Sequence, residues 1–334
     1  MLNLAGSGKL IFIFLLINYH AISNSQIIKG TVLDKDSNNP VSFAYLYFSG
    51  TFVGTQSDQN GNFELDVSKN NSIPLTVSAI GYYSTTLTGF PQKIPFTIYL
   101  APKLYSLKEI TVNAKSLVRR RKVNMTLFKD IFLGTTNNAR FCEILNENDI
   151  SFNYDSDKDT LKAYATKPIL IKNMALGYSI TYYLDKFEYD RGERSFTFKG
   201  TIIFNEDLNT DAESKQIYEK RRERAYRGSR MHFFRSLWND DLKPAGFEVK
   251  DENDDIVKYN DIVVEDSEHN KFLTQIKTLK ICYKSSVPST GIEFIKNTIY
   301  FSGDGYFDSD GILWEGAMAN LRIADWLPYE YSVK

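Results

Sequence analysis

Apolar and polar positions alternate along most of this chain, the period expected of strands with one buried face. Between Ile27 and Leu100 the alternation comes in short runs. Ile27–Asp34, Val41–Phe48, Phe52–Thr55, Phe63–Val67, Leu75–Ile80, Ser84–Leu87 and Pro95–Leu100 each read as a strand. Turn chemistry separates them. Asp34 to Pro40 is rich in Asp, Asn and Pro, and Asn60-Gly61 suits a tight turn with positive φ. Short strands punctuated at fairly even spacing predict a small β-sandwich.

Beyond this stretch the period changes twice. Met125–Leu133 carries Leu127, Phe128, Ile131 and Phe132 at helical spacing, with Gly134 where such a helix would end. Residues 141–205 alternate again. Ile150–Tyr154 and Leu161–Ala165 form a hairpin around the polar tip Asp155–Asp159, and Ile169–Ile171, Tyr178–Asp185, Phe187–Tyr189 and Ser195–Phe204 continue an antiparallel pattern. Residues 211–238 read as the strongest helix, capped by Asp211, with Glu219 and Glu223 spaced to pair with its arginines. Residues 272–283 and 292–302 read as two further strands, and Met318–Trp326 as a short helical segment. The fold class is therefore mainly β with an α+β part: a β-sandwich followed by a mixed α+β domain with a mostly antiparallel sheet.

Residues 10–17 are a continuous apolar run behind Lys9. The run is too short to span a bilayer and has the length of a signal-peptide core. Ser23 and Ser25 suit cleavage before Gln26, and no Cys beside the junction suggests lipid attachment. The expected division is a signal peptide over 1–25, the sandwich over 26–101, a linker with a basic run and short helix over 102–140, and an α+β domain of unknown function over 141–334. No transmembrane segment is expected in the mature chain. The expected location is exported: periplasm, outer membrane or cell surface.

Twenty-one Tyr and 23 Phe beside three His point to β-rich packing, and a net charge of -1 gives no overall bias toward nucleic acid or acidic lipid. The basic run Arg119-Arg120-Arg121-Lys122 has three readings: a flexible linker, which is preferred, a helix entry, or a phosphate-binding patch for anionic lipid or lipopolysaccharide headgroups in an exported chain. Cys142 and Cys282 read as two buried thiols, with a disulfide open to them after export. Their surroundings lack zinc-ligand spacing.

Candidate chemistry is thin. Asp34, Asp36 and Asn38 begin like a calcium loop, but Asn39 and Tyr45 stand where the loop needs Gly and Glu, so a plain turn is expected. The tip Asp155–Asp159 reads as a solvated loop. Asp304, Asp308 and Asp310 could offer oxygen ligands to calcium without matching an EF-hand. Tyr182, Tyr183, Phe187, Tyr189, Phe196, Phe198 and Phe204 could line a sugar-binding face, yet at period two they read as sheet packing. His232, between Met231 and Phe233, reads as a buried hydrogen-bonded His rather than a general base, and His269 as exposed. A hydrolase would need a carboxylate pair about 5–9.5 Å apart, drawn from Asp304, Asp308, Asp310, Glu315 and Asp325. No nucleophile elbow, phosphate loop or His-Glu-x-x-His motif occurs. No catalytic, cofactor-binding or metal-binding residue is singled out, and no cofactor is expected.

The first third of the mature chain resembles the carboxypeptidase-regulatory-like (prealbumin-like) domain. The resemblance rests on Gly30-Thr31-Val32, the Pro40-Val41 turn exit, Ser57-Asp58-x-x-Gly61-x-Phe63 and Ser78-Ala79-x-Gly81-Tyr82. Leu107–Ala114 is similar to the segment that follows this domain in many Gram-negative envelope proteins, including TonB-dependent receptors. The remaining chain lacks the long series of barrel strands such a receptor has. Tyr226-x-Gly228-Ser229-x-x-His232-Phe233 and Arg322-Ile323-Ala324-Asp325-x-Leu327-Pro328-Tyr329-Glu330-Tyr331 are similar to a region of uncharacterised exported bacterial proteins. The C-terminal resemblance brings no activity with it. A binding-type module followed by a domain without a recognisable catalytic constellation leads to the expectation of a non-enzymatic envelope protein that binds or scaffolds, its partner another envelope protein or a glycan and not nucleic acid. The alternatives are an extracellular polymer hydrolase and an accessory protein of a TonB-dependent receptor system.

Overall fold

The computed structural model describes residues 26–68, 70, 72–89, 95–103, 114–205, 211–274, 278–284 and 289–333. The expected leader, residues 1–25, and nearly all of Leu107–Ala114 lie outside these.

Seven strands build the N-terminal unit: β1 (Ile27–Asp34), β2 (Tyr45–Phe48), β3 (Gly54–Gln56), β4 (Asn62–Asp66), β5 (Leu75–Ser78), β6 (Thr85–Leu87) and β7 (Phe96–Leu100). They form two sheets, β4-β1-β7 and β3-β2-β5-β6, the two layers the alternation predicts. Ile28, Val32, Phe63, Leu65 and Ile98 from one sheet meet Leu46, Phe48, Leu75 and Val77 from the other. The observed strands are shorter than the sequence pattern. Ahead of β2, the Ser57 hydroxyl accepts from the Ala44 N–H at 2.8 Å and donates to the Val41 carbonyl at 2.9 Å. That closes a turn with Phe43 at φ 57°, and the ladder starts only at Tyr45.

The second unit opens with α1 (Ala114–Phe132), which begins earlier than Met125, the expected start. Its buried stripe of Met125, Phe128 and Phe132 follows the i, i+3, i+7 rule. Arg121 donates to the carbonyls of Ile150 and Glu147, both at 2.8 Å. The basic run therefore lies on an ordered helix, with Arg119, Arg120 and Lys122 exposed. Beneath the helix runs a six-stranded antiparallel sheet of β8 (Cys142–Ile144), β9 (Ile150–Asp155), β10 (Thr160–Ala165), β11 (Ile169–Asn173), β12 (Tyr178–Asp190) and β13 (Ser195–Asn205). β12 is long enough to pair β11 at one end and β10 at the other, with β13 along its opposite side. It spans both segments expected around Lys186, and the register shift between Leu184 and Lys186 is the interruption the sequence shows.

The long helix expected over 211–238 is two helices, α2 (Ala212–Tyr226) and α3 (Arg230–Trp238). Gly228 at φ 79° turns the chain between them, and the Ser229 side chain caps α3 by accepting from the His232 N–H. After α3 come β14 (Phe247–Lys250), β15 (Val263–Glu265), β16 (Lys271–Thr274), β17 (Leu279–Tyr283), β18 (Thr290–Phe294), β19 (Thr298–Phe301) and β20 (Ile312–Gly316). The two strands expected at 272–283 and 292–302 each divide between sheets. β16 pairs β19 in β15-β16-β19, whereas β17 pairs β18 in β14-β17-β18-β20. The two strand pairs thus belong to different sheets, and both contribute to the core cluster that holds Phe233, Phe234 and Leu237 of α3. The C-terminal segment makes two single 3-10 turns, at Met318–Asn320 and Ile323–Asp325, instead of one helix.

The sandwich packs on the face of the six-stranded sheet opposite α1. Tyr182 of β12 meets Phe132 of α1, while its neighbour Tyr183 meets Tyr45 and Tyr47 of β2. β2 and β5 are consequently covered on both sides, and Tyr47 is 1% exposed. The turn 49–53 between β2 and β3 reaches past the sheet edge. Gly50 N–H donates to the Ile202 carbonyl at 2.9 Å, and Phe204 N–H donates to the Thr51 carbonyl at 3.3 Å, so the turn extends β13 by a parallel bridge. Its other side takes the C-terminal tail: Tyr329 N–H donates to the Gly50 carbonyl at 2.7 Å, and Phe52 N–H to Glu330 Oε1 at 2.9 Å.

Gly50 serves both needs of this turn. Its φ is 80°, and a Cβ there would stand 2.6 Å from the Tyr329 ring. Gly50→Ala should lower the urea midpoint by an amount equivalent to roughly 2–4 kcal/mol, combining left-handed strain with overpacking. Gly81 also has positive φ, at 85°, but a Cβ there meets nothing within 4 Å. Gly81→Ala should cost only about 1–2 kcal/mol. Equal losses in parallel urea titrations would refute the docking role of the turn.

Candidate functional site

Where sandwich meets sheet, hydroxyls and charges line up. Tyr47 Oη lies 2.9 Å from Ser78 Oγ, which lies 2.7 Å from Ser84 Oγ. Ser84 donates to Asp185 Oδ1 at 3.0 Å, and Lys103 Nζ donates to the same oxygen at 3.2 Å. An ionised carboxylate only accepts, so Ser84 must donate to it; Ser84 then accepts from Ser78, and Ser78 from Tyr47. The chain of donation thus runs one way, from Tyr47 to Asp185. Burial pushes the Tyr47 phenol well above its ordinary value, keeping the proton this chain requires. Asp185 follows Tyr183 by two positions on β12, so alternation puts both on the face toward the sandwich, at the start of the register shift.

Beside this chain a cleft opens between Ser78–Tyr82, Ser84 and Lys103 on one side and Ala165–Pro168, Tyr183 and Leu184 on the other. Its enclosed space, about 20 Å³, is enough for roughly one water. The chemistry present is fixation. Lys103 neutralises Asp185, and the hydroxyls are committed to one another, so the group holds two units in register.

The residues singled out from sequence do not converge. Asp304 accepts from Ser72 Oγ at 2.9 Å. Asp308 pairs with Lys296 at 2.6 Å and Asp310 with Lys199 at 2.7 Å. Glu315 is exposed on β20, at the rim of a shallow depression with Asp254 and Lys280. Asp325 is 5% exposed and accepts from Thr136 Oγ1 at 2.9 Å and Asn138 Nδ2 at 2.9 Å; burial pushes its carboxyl upward. The Asp34 carboxylate accepts from the N–H groups of Asp36 and Ser37, closing its turn. Asp159 accepts from Tyr154 Oη at 2.5 Å on an exposed tip. Among the described residues no cluster of three His, Cys, Asp or Glu side chains is arranged to hold a metal ion. Cys142 and Cys282 are free and half-buried, on β8 and β17. Burial, with Asp325 nearby, pushes the Cys142 thiol up to about 12. Of the aromatic row, Tyr182, Phe187, Phe198 and Phe204 pack in the core under α1, and Tyr183 packs against the sandwich.

Sequence reasoning missed the arginines. Arg222 is 6% exposed, donates to the Leu176 carbonyl at 2.7 Å and lies 4.1 Å over the Tyr178 ring. Arg235 spreads three donors over the carbonyls of Asp304, Tyr329 and Tyr331, at 3.0, 2.9 and 2.7 Å. Pairing with Glu219 and Glu223 at helical spacing does occur, through Arg222 and Arg227, but tertiary carbonyls take the buried donors. No spacing rule reports a partner some 90 residues away.

The architecture so far is a β-sandwich fixed to a larger α+β body. Residues 28–112 match the CarboxypepD_reg-like domain family, so the N-terminal unit is a domain of that family. No curated protein matches the chain. Among solved structures, a 9R-lipoxygenase from Cyanothece PCC8801 is 12% identical, with 70% of this chain and 50% of that one covered. The chain thus spans half the length of that structure, and a TM-score of 0.18 is too low to bear on fold or activity. Among the described residues no helix is long and apolar enough to cross a membrane.

His232 packs between Tyr226, Phe247 and Tyr283, with ring centroids 4.7, 4.8 and 5.6 Å away. Its Nδ1 accepts from the Gly228 N–H at 3.1 Å, which requires the neutral ring. Burial, then Arg227, Arg235 and Lys284, lower its pKa to about 4. Between pH 6.5 and about 4 the unfolded chain takes up this proton and the folded chain does not. Its contribution is therefore complete above pH 6.5 and is lost as pH falls through that window. An NMR titration should place the His232 midpoint near 4, and His232→Gln should flatten the slope of stability against pH between those limits. A midpoint near 6.5 would contradict the burial.

Proposed function

We propose that the protein is an exported, non-enzymatic envelope protein that binds or scaffolds, with the sandwich as its contact module and another envelope protein or a glycan as its partner. One observation carries this reading. Sheet β3-β2-β5-β6 is locked against the α+β body, while sheet β4-β1-β7 keeps an open outer face of Ile27, Lys29, Asn62, Glu64, Asp66, Thr97 and Tyr99. Tyr99 is 48% and Ile27 40% exposed. Among the described residues β7 pairs only β1, and just past its end residues 101–103 pair with Gly81–Tyr83; we take the remaining edge of β7 as the place for an added strand. A sandwich held at fixed orientation, one face engaged and one free, suits contact better than turnover. The CarboxypepD_reg-like family, typically a binding domain, is consistent with that use.

Ile27→Glu with Tyr99→Glu should abolish capture of the envelope partner in cross-linking from a membrane fraction, and leave thermal stability within about 1 kcal/mol of the parent because both side chains face solvent. Mass spectrometry of the exported chain should find Gln26 at its N-terminus. Turnover in a broad hydrolase panel that one polar substitution removes, with the outer-face variant still active, would overturn the binding role.

A further inference from the structure

Arg230 and Arg322 commit fewer donors than Arg235, which serves three backbone carbonyls. Arg230, in the first turn of α3, spends Nη2 on the Leu321 carbonyl at 2.7 Å. Its guanidinium carbon lies 5.6 Å from the ring centroid of Trp314 and 5.4 Å from that of Trp326. Arg322 lies 4.1 Å over Phe196, and among the described residues its guanidinium makes no hydrogen bond and no ion pair. The rings themselves are contiguous: Phe196 stacks on Phe198 and Phe198 on Trp326, at 6.3 Å each. The two guanidinium groups thus lie against one continuous row of rings, Arg322 at the Phe196 end and Arg230 at the Trp326 end.

The charges around the pair are consistent with this placement. Burial lowers both pKa values to about 10, and for Arg230 the second cause is Arg322 itself. Tyr329 is the other ionisable group felt by Arg230, and burial holds that phenol neutral, its pKa raised to about 12. No carboxylate contributes at either arginine. In the same cluster the Trp314 Nε1–H is buried with no acceptor among the described residues. Two half-buried cations and an unsatisfied donor, without an acidic partner, are costly to fold unless an anion joins them. The partial exposure of both arginines leaves a way in.

We propose that Arg230 and Arg322 form a binding site for a phosphate group, held by their guanidinium forks on the Phe196–Trp326 aromatic bed, with Trp314 alongside. Two fixed positive charges match a phosphate dianion better than a singly charged carboxylate, and the planar forks fit its oxygens. The phosphate can be free, or carried by a soluble monoester or a lipid headgroup. Arg235 is excluded from the role because its donors already serve three carbonyls.

The test uses the full chain at constant ionic strength. Inorganic phosphate should quench tryptophan emission saturably and raise the melting temperature, and acetate should do neither. Arg322→Gln, which breaks no hydrogen bond, should leave the phosphate-free melting temperature unchanged or higher and weaken phosphate binding roughly ten- to hundredfold. Arg322→Lys should recover part of the affinity by charge alone. Glycerol 3-phosphate and phosphatidylcholine vesicles containing phosphatidic acid then identify the carrier: preference for the monoester or the vesicles over free phosphate supports an attached group, and equal affinity supports the free ion. The proposal fails if phosphate gives no saturable response, if acetate matches it, or if Arg322→Gln binds as the parent does.

Discussion

Backbone groups cannot be buried without partners, and this constraint is met at one turn on which the assembly of the molecule depends. The turn 49–53 leaves the sandwich between β2 and β3 and supplies main-chain partners to two other segments at once. Its Gly50 N–H and Thr51 carbonyl complete the outer edge of β13, while its Gly50 carbonyl and Phe52 N–H hold Tyr329 and Glu330 of the tail. An open edge strand, a C-terminal tail without regular structure and a tight turn would each leave unpaired groups alone. Together they satisfy one another.

The polar chain from Tyr47 to Asp185 belongs to the same contact and explains its specificity. Aromatic stacking of Tyr45 and Tyr47 on Tyr183 would tolerate sliding. A directional run of hydroxyls ending on a carboxylate neutralised by Lys103 does not, because a shift strands buried donors. Rigidity between the two units follows, and with it a fixed orientation of the outer face of the sandwich.

Charge has been put to two uses in the C-terminal half. Arg222 and Arg235 bury guanidinium groups against carbonyls and aromatic faces, binding helices to loops that have no regular pairing of their own. That use is complete within the fold: Arg235 alone joins α3, the Asp304 loop and the tail. Arg230 and Arg322 share the aromatic setting, but among the described residues Arg230 has one acceptor, the Leu321 carbonyl, and Arg322 has none. The contrast between neighbours of the same chemical type gives the second pair its interest.

Local information was enough for the sandwich. Alternation and turn residues such as Asn60-Gly61 act within a few positions, so strand order along residues 27–100, the cap at Asp211 and the buried setting of His232 were legible before any tertiary contact was known. Where interpretation from sequence departed from the structure, a long-range partner intervened. Gly228 and the α3 cap divided a continuous helical pattern, and pairing in two different sheets divided β16 from β17 in a run that reads as one strand. Burial of α1 against Phe152, Tyr182 and Phe187 ordered a segment that looked like linker. The junction was illegible for the same reason: Ser84 and Asp185 are 101 positions apart, and neither belongs to a motif. Periodicity reports which face of an element is apolar; only the packed chain decides what covers that face, because burial of Tyr47 and of the arginines is a property of pairs of surfaces and not of either sequence segment alone.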